Sequence, residues 1–256
     1  MVKRWVILFL IVLLPVSAEA GLPLLTDDAE TQGAGKYQIE AGGEYDRDRE
    51  TVDGIFSKET DHSISTTLTY GVAGPVDVFI ASSYIRTVVQ ADGAGTTEAR
   101  GISDTAAGLM WRFYTHEGLS LAVKPAVNVP TGDDEKGLGS GKFGYSTTFI
   151  VSKEIEPWEF HLNLGYARNN NTLGERVDVW QASLAMLYEV AKDFKLCADT
   201  GIETNRDAKS EIEPAYLLAG IVYEVKDNFE LSLGLKTGLN KPETDWAVLP
   251  GATYRF

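Results

Sequence analysis

Apolar and polar side chains alternate with a period of two along most of this chain, the period of a sheet with one apolar face. The clearest run is Phe229-Glu230-Leu231-Ser232-Leu233-Gly234-Leu235-Lys236, whose odd positions are large and apolar and whose even positions are polar or glycine. Phe160 to Tyr166 and Leu119 to Lys124 repeat it. The same period, less sharply drawn, marks Tyr37 to Tyr45, Ile64 to Tyr70, Val76 to Arg86, Thr105 to Phe113, Tyr145 to Val151, Trp180 to Tyr188, Phe194 to Ile202 and Ala215 to Tyr223. With the terminal stretch from Trp246 to Phe256 the pattern predicts about twelve strands, an even number, as single-chain bacterial barrels require.

The links between these segments alternate in length. Short turns are predicted at Gly71–Val76, Tyr114–Gly118, Ile155–Trp158, Val190–Asp193 and Val225–Asn228. Longer polar links are predicted at Asp46–Lys58, Gln90–Arg100, Thr131–Gly144, Arg168–Arg176, Asn205–Glu213 and Gly238–Thr244. Tight turns at one end and extended loops at the other describe a transmembrane antiparallel barrel with both termini in the periplasm.

The polar half of each strand then faces the lumen. That register places Glu40, Glu44, Asp104, Arg112, Lys124, Glu159, Asp199, Glu203, Glu230, Lys236 and Arg255 inside as lumen-lining candidates. A soluble barrel keeps its apolar face inside. Charges of both signs within and Leu, Val and aromatics without suit lipid instead. Tyr37, Tyr45, Tyr70, Tyr84, Phe113, Trp158, Tyr188, Phe194 and Trp246 fall near strand ends, where interfacial girdles belong. A secreted β-sandwich also alternates, but it has no use for a charged interior face.

Both chain ends fit this reading. Lys3 and Arg4 precede an apolar run from Trp5 to Leu14 and a small-x-small site at Ala18-Glu19-Ala20, so residues 1–20 read as a signal peptide, too short to span a bilayer as a helix. No other apolar run approaches spanning length, which leaves the closed barrel as the route into a membrane. At the other end, Trp246 to Phe256 is a terminal aromatic strand that resembles the insertion signature of outer-membrane barrels, the segment offered to the barrel-assembly machinery. The formal charge of −14 argues against a nucleic-acid partner, whose phosphates call for basic faces. The one cysteine, Cys197, excludes a disulfide framework. The predicted organisation is thus a signal peptide over 1–20, a periplasmic segment or lumen hatch over 21–36, and a barrel over 37–256.

Several segments carry a family resemblance. They are Pro23-Leu24-Leu25-Thr26-Asp27-Asp28-Ala29-Glu30-Thr31-Gln32-Gly33-Ala34-Gly35-Lys36, then Gly101-Ile102-Ser103-Asp104 leading into Gly108-Leu109-Met110-Trp111-Arg112-Phe113. Val129-Pro130-Thr131-Gly132 with Gly137-Leu138-Gly139-Ser140-Gly141, His161 to Tyr166 and the aromatic C-terminus complete the set. In this order they resemble the outer-membrane family described as Putative MetA-pathway of phenol degradation, with Ser103 standing where the family pattern has glycine. The resemblance implies an outer-membrane barrel associated with uptake of aromatic or other hydrophobic compounds. It does not supply a substrate.

Candidate chemistry is sparse. Gly139-Ser140-Gly141-Lys142-Phe143-Gly144 fits G-x-G-x-x-G, but a strand follows it where a phosphate site needs a helix N-terminus, so it reads as an outer loop able to fold inward and constrict a pore. Asp133, Asp134 and Glu135 offer oxygens to calcium or to lipopolysaccharide bridged by divalent cations, without the spacing of a calcium loop. His62, His116 and His161 are spread over different heights, with no serine partner evident, so neither a nucleophilic enzyme nor a metal site is expected, and no cofactor. In the segment 21–36, Asp27, Asp28 and Glu30 are hatch candidates that would meet Arg112, Lys124 or Arg255. The expected function is an outer-membrane channel or transporter for small hydrophobic or aromatic solutes, set in lipid and lipopolysaccharide. The alternative is a closed structural or surface-binding barrel without transport activity.

Overall fold

The protein was analysed as a computed structural model, which describes residues 21–52, 55–93 and 95–256; the segment read as a signal peptide lies outside the described residues. Thirteen β-segments run in chain order: β1 (Tyr37–Val52), β2 (Ile55–Ala73), β3 (Val76–Ala91), β4 (Gly95–Ile102), β5 (Thr105–His116), β6 (Leu119–Val129), β7 (Gly144–Ile155), β8 (Trp158–Arg168), β9 (Asp178–Ala191), β10 (Phe194–Glu203), β11 (Ala215–Lys226), β12 (Phe229–Gly238) and β13 (Trp246–Arg255). All pairings are antiparallel, and β13 pairs with β1, so the sheet closes on itself. β4 and β5 both pair with β3, β4 from Tyr84–Ile102 to Ala91–Gly95 and β5 from Val76–Trp111 to Ala81–Ala106. They are one barrel strand interrupted at Ser103 and Asp104. The barrel therefore has twelve strands.

Alternation places the side chains as an outer-membrane barrel needs them. On β12 the outward Leu231, Leu233 and Leu235 are exposed, while Lys236 between them and the next turn is 4% exposed. On β8 Leu162 and Leu164 face out while His161 and Asn163 are buried. With no lipid-facing backbone edge inside the closed ring, the outward belt of Ile, Leu, Phe and Trp can sit in hydrocarbon.

Two links predicted as long loops are strand instead. β1 and β2 stay paired from Tyr37–Tyr70 to Val52–Ile55, and β3 and β4 stay paired to Ala91–Gly95. In the first of these stretches Asp46-Arg47-Asp48-Arg49-Glu50 alternates in the sign of its charges, and a sheet accepts that alternation as readily as one of hydrophobicity. Pairing of β1 with β13 ends at Arg47–Trp246, so the outer parts of β1 to β4 continue beyond it as a four-stranded extension. The remaining long links behave as loops, with a 3-10 turn at Asp134–Lys136.

The interior is less uniformly polar than the sequence suggests. Leu24 from the N-terminal segment packs with Ala185, Leu187, Cys197, Leu218, Ala247 and Leu249 of the inner wall, and Ala29 packs with Ala122 and Ile150. Inward apolar side chains are tolerated because chain, not water, fills this part of the lumen.

Candidate functional site: the lumen and its N-terminal segment

Residues 21–36 run inside the barrel, and the wall holds them by their backbone. Asp199 on β10 is 1% exposed. Its Oδ2 accepts the Leu25 N–H (2.7 Å) and the Thr26 N–H (2.9 Å), and its Oδ1 accepts the Thr26 hydroxyl (2.7 Å) and that of Tyr216 (3.1 Å). Asn163 on β8 donates to the Asp27 carbonyl (2.9 Å) and accepts the Asp27 N–H, in the amide orientation that satisfies both. Ala29 N–H donates to Ser152 Oγ (2.9 Å), and Gln32 N–H to Asp77 Oδ2 (2.9 Å). At the exit, Gly35 N–H donates to the Gly71 carbonyl and Gly71 N–H to the Lys36 carbonyl, which leads the chain into β1. Gly71 must be glycine for this contact, since a Cβ there would lie 1.8 Å from the Gly33 carbonyl oxygen. At Gly220 the same reasoning applies to Pro23, whose Cγ would stand 2.9 Å from an added Cβ.

Charge supports the seat at one point. Lys124 on β6 pairs with Asp27 (2.5 Å), both side chains about a tenth exposed, and its ammonium lies 5.3 Å from the Phe79 ring centroid. Burial pushes the Asp27 carboxyl up, and Lys124 opposes that shift. The other two hatch candidates behave differently. Asp28 accepts the Glu30 N–H (2.7 Å) within the segment itself. Asp28, with burial and the more distant Glu154 and Glu159, pushes the Glu30 carboxyl up to about 7. Arg255 pairs with Glu230 and donates to Gln38 (2.9 Å).

The remaining lumen candidates fall into small networks. Lys236 bridges Glu44 (3.0 Å) and Glu243 (3.4 Å), with its side chain 2% exposed. Glu203 meets Arg206 (3.6 Å), and Glu159 pairs with Lys195 (2.7 Å). Glu40 is buried, and Arg112 is half-buried between the exposed Trp111 and Phe113. Asp104, at the break between β4 and β5, fastens the loop 130–143: it accepts the Gly132 N–H (3.0 Å), the Ser140 N–H (2.8 Å) and the Ser140 hydroxyl (2.6 Å). Thr172 N–H donates to the Ser140 carbonyl (2.9 Å), tying the loop after β8 onto it. The glycine-rich stretch is thus a fixed loop. Asp133 pairs with Lys136 and Asp134 accepts the Thr172 hydroxyl; among the described residues no group of three or more His, Cys, Asp or Glu is arranged to hold a metal.

Sequence reasoning missed the partner of His161. Its Nδ1 lies 2.8 Å from Ser152 Oγ, directly across the β7–β8 pairing. The turn at Glu156 and Pro157 pairs Ile155 with Trp158, and counting back along both strands from there brings Ser152 opposite His161. Asp77 and Asn163 were also missed, because their partners lie on a segment whose path strand periodicity does not predict, and with them Tyr216, which meets that segment's anchor Asp199.

The seated segment lies between two cavities. Towards the long-loop end is one of about 190 Å³, lined by Leu22–Leu25, Ile85, Tyr216 and Leu249 and by the charged Lys236, Glu44, Asp46, Asp61, Glu203 and Glu243. Towards the short-turn end is one of about 420 Å³, lined by Asp28, Glu30, Lys36, Glu40, Lys124 and Arg255. The first is mixed but rich in apolar side chains, the second charged.

Solved structures share this architecture. The COG4313 outer membrane channel from Pseudomonas putida F1 superposes with a TM-score of 0.70 at 16% identity, over 90% of this chain and 98% of that one. The translocator domain of the autotransporter NalP from Neisseria meningitidis matches with a TM-score of 0.56 at 13% identity, over 89% and 91%. The toluene transporter TodX of P. putida matches with a TM-score of 0.52 at 10% identity, over 88% and 90%. No curated protein matches the sequence. These likenesses are of fold, and the fold is that of an outer-membrane barrel. Residues 23–256 match the model of the family described as Putative MetA-pathway of phenol degradation, and the chain belongs to that family.

Proposed function

We propose that this protein is an outer-membrane channel for small hydrophobic or aromatic compounds, closed at rest by residues 21–36. The observation that carries the reading is the seated segment itself, with a cavity of mixed apolar and charged lining on its outer side and a charged one towards the periplasm. A structural barrel has no need of two cavities parted by a peptide held largely through backbone hydrogen bonds. The name of TodX, a toluene transporter of like fold, is in keeping with an aromatic cargo. The Ser152–His161 pair reads as part of the seat and not as a nucleophile with its base, since Ala29 N–H occupies the Ser152 oxygen. The role is therefore transport without chemistry on the solute. The C-terminal strand, ending with Phe256 stacked on Tyr37 (5.4 Å), is read as the segment that addresses the chain to the barrel-assembly machinery.

The test is conductance of the refolded barrel in a planar bilayer with phenolic and aliphatic solutes. Brief current steps blocked by phenolic solutes are expected. Permanent silence, even after the segment is removed, would favour a closed barrel whose loops do the work.

A pH dependence follows from Glu30. Its carboxyl has an ordinary value near 4.5 when free and is pushed up to about 7 when seated. Seating is therefore favoured at pH 5, where the seated group is protonated, and that advantage is lost as pH rises through 7. Open probability should be higher at pH 8 than at pH 5.5, and Glu30→Gln should flatten the profile. An unchanged slope in that variant would remove Glu30 from gating.

A further inference from the structure

The four-stranded extension of β1 to β4 has two faces of opposite charge. Its inner face carries Asp46 opposite Asp61 and Asp48 opposite Glu59. Its outer face carries Arg49 directly opposite Lys58 on β1 and β2, and Arg86 directly opposite Arg100 on β3 and β4. Arg47 is on the same face. Of these, Arg49, Arg86 and Arg100 are exposed, and Lys58 is half-buried. Like charges directly across a pair of strands are destabilising, so two such pairs on one face are a cost that a bound anion would relieve. Glu98 answers one of the four, taking both an Nε–H and an Nη2–H of Arg86 (3.1 and 3.3 Å), a carboxylate in the fork that a phosphate would compete for. On the far side of the barrel the basic Arg168 is matched by Asp178 at 2.7 Å. A basic face is also unexpected on a chain of formal charge −14.

Position identifies the anion. Arg47 stands two residues beyond Tyr45, Arg86 two beyond Tyr84, and Arg100 two beyond Ile102, each on the outward side and towards the long-loop end. Tyr84 and Ile102 are exposed members of the apolar belt, and Tyr45 packs against Trp246 at 5.5 Å. Two residues of strand span roughly 7 Å. The guanidinium groups of Arg47, Arg86 and Arg100 thus stand just above the hydrocarbon edge, at the level of lipid headgroups in the outer leaflet, and Arg49 with Lys58 opposite it stands one outward position, roughly 7 Å, beyond Arg47.

We propose that the outer face of β1 to β4 binds the phosphate groups of an outer-leaflet lipid of the lipid A type, with Arg49 and Lys58 forming one phosphate seat and Arg86 and Arg100 the other. Guanidinium groups suit the task, because they bond phosphate through two parallel N–H donors. The site depends on the protein's place in the outer membrane and not on what passes through its lumen.

The full barrel, exchanged into detergent, is incubated with bisphosphorylated lipid A, with the same lipid after phosphatase treatment and with inorganic phosphate. Retained lipid is measured by native mass spectrometry, and heat-modifiable gel migration confirms that each variant is folded. Wild type should retain bisphosphorylated lipid A, with the dephosphorylated lipid held about tenfold more weakly or worse. R49Q/K58Q/R86Q/R100Q should lose the preference for the phosphorylated lipid, and R86K/R100K, which keeps the charge without the paired donors, should keep the preference but hold the phosphorylated lipid more weakly than wild type. Equal retention by wild type and the four-fold glutamine variant, or equal retention of both lipids by wild type, would overturn the proposal. Saturation by inorganic phosphate at millimolar concentration would also overturn it, showing a site for free anion.

Discussion

Removing residues 21–36 from the mature chain is expected to turn a mostly closed barrel into a steadily conducting one. The wall does not need the segment, since all twelve strands find their partners in β1 to β13 and the ring closes through β1 and β13. The lumen does need it if it is to stay shut. Without it the cavity of about 190 Å³ and that of about 420 Å³ lose the peptide between them and become one passage. A barrel of eight strands has room for little beyond its own side chains, whereas twelve leave a gap that something must fill. Steady current at least several times that of the intact protein, with the variant still showing heat-modifiable migration, is the expected result. An unchanged trace from a folded variant would mean that the closure lies in the loops fastened by Asp104 and Thr172. The lost apolar packing of Leu24 against Leu218 and Leu249 should also lower thermal stability, by an amount that unfolding in detergent would measure.

The wall of this barrel was legible in the sequence because a membrane barrel writes its two faces into alternate positions. Leu231, Leu233 and Leu235 could face lipid only if Glu230 and Lys236 faced inward. The misread stretches are instructive for the same reason. Asp46-Arg47-Asp48-Arg49-Glu50 has the period of a strand in the sign of its charge, acid inward and base outward, but a reading that scored only hydrophobicity took it for a loop. His161 and Ser152 could have been paired by counting outwards from the turn at Glu156 and Pro157. The path of residues 21–36 was beyond reach of such counting. Leu25 and Thr26 meet Asp199 across more than 170 residues, and no periodicity links a segment without strand pattern to the wall that receives it. For that reason Asp77, Asn163 and Tyr216 carried no signal, and the inward Leu218 and Ile150 find their partners only in the folded chain, against Leu24 and Ala29.

Asp199→Ala should open the channel nearly as far as the deletion does, through a single side chain. The carboxylate accepts four hydrogen bonds, two from backbone N–H groups of the segment, one from Thr26 and one from Tyr216. With it gone, the seated segment keeps its two N–H donors buried and unmatched, and each such group costs about 1–3 kcal/mol. A total near 3 kcal/mol corresponds to about a hundred-fold shift from seated to unseated. The wall itself is spared, because the backbone of β10 keeps its pairing with β9 and β11 whatever side chain stands at 199. Asp199→Asn separates this account from a loss of negative charge alone. Its amide oxygen can still take the Leu25 and Thr26 N–H groups, and its NH2 can donate to the hydroxyls of Thr26 and Tyr216, which can rotate to accept. Conductance should therefore rank alanine well above asparagine, with asparagine little above wild type. If the asparagine variant opens as fully as the alanine variant, charge at Asp199 holds the segment and the hydrogen-bond account fails. If neither opens while the deletion does, the seat is held by Lys124, Asn163 and the apolar packing of Leu24 instead.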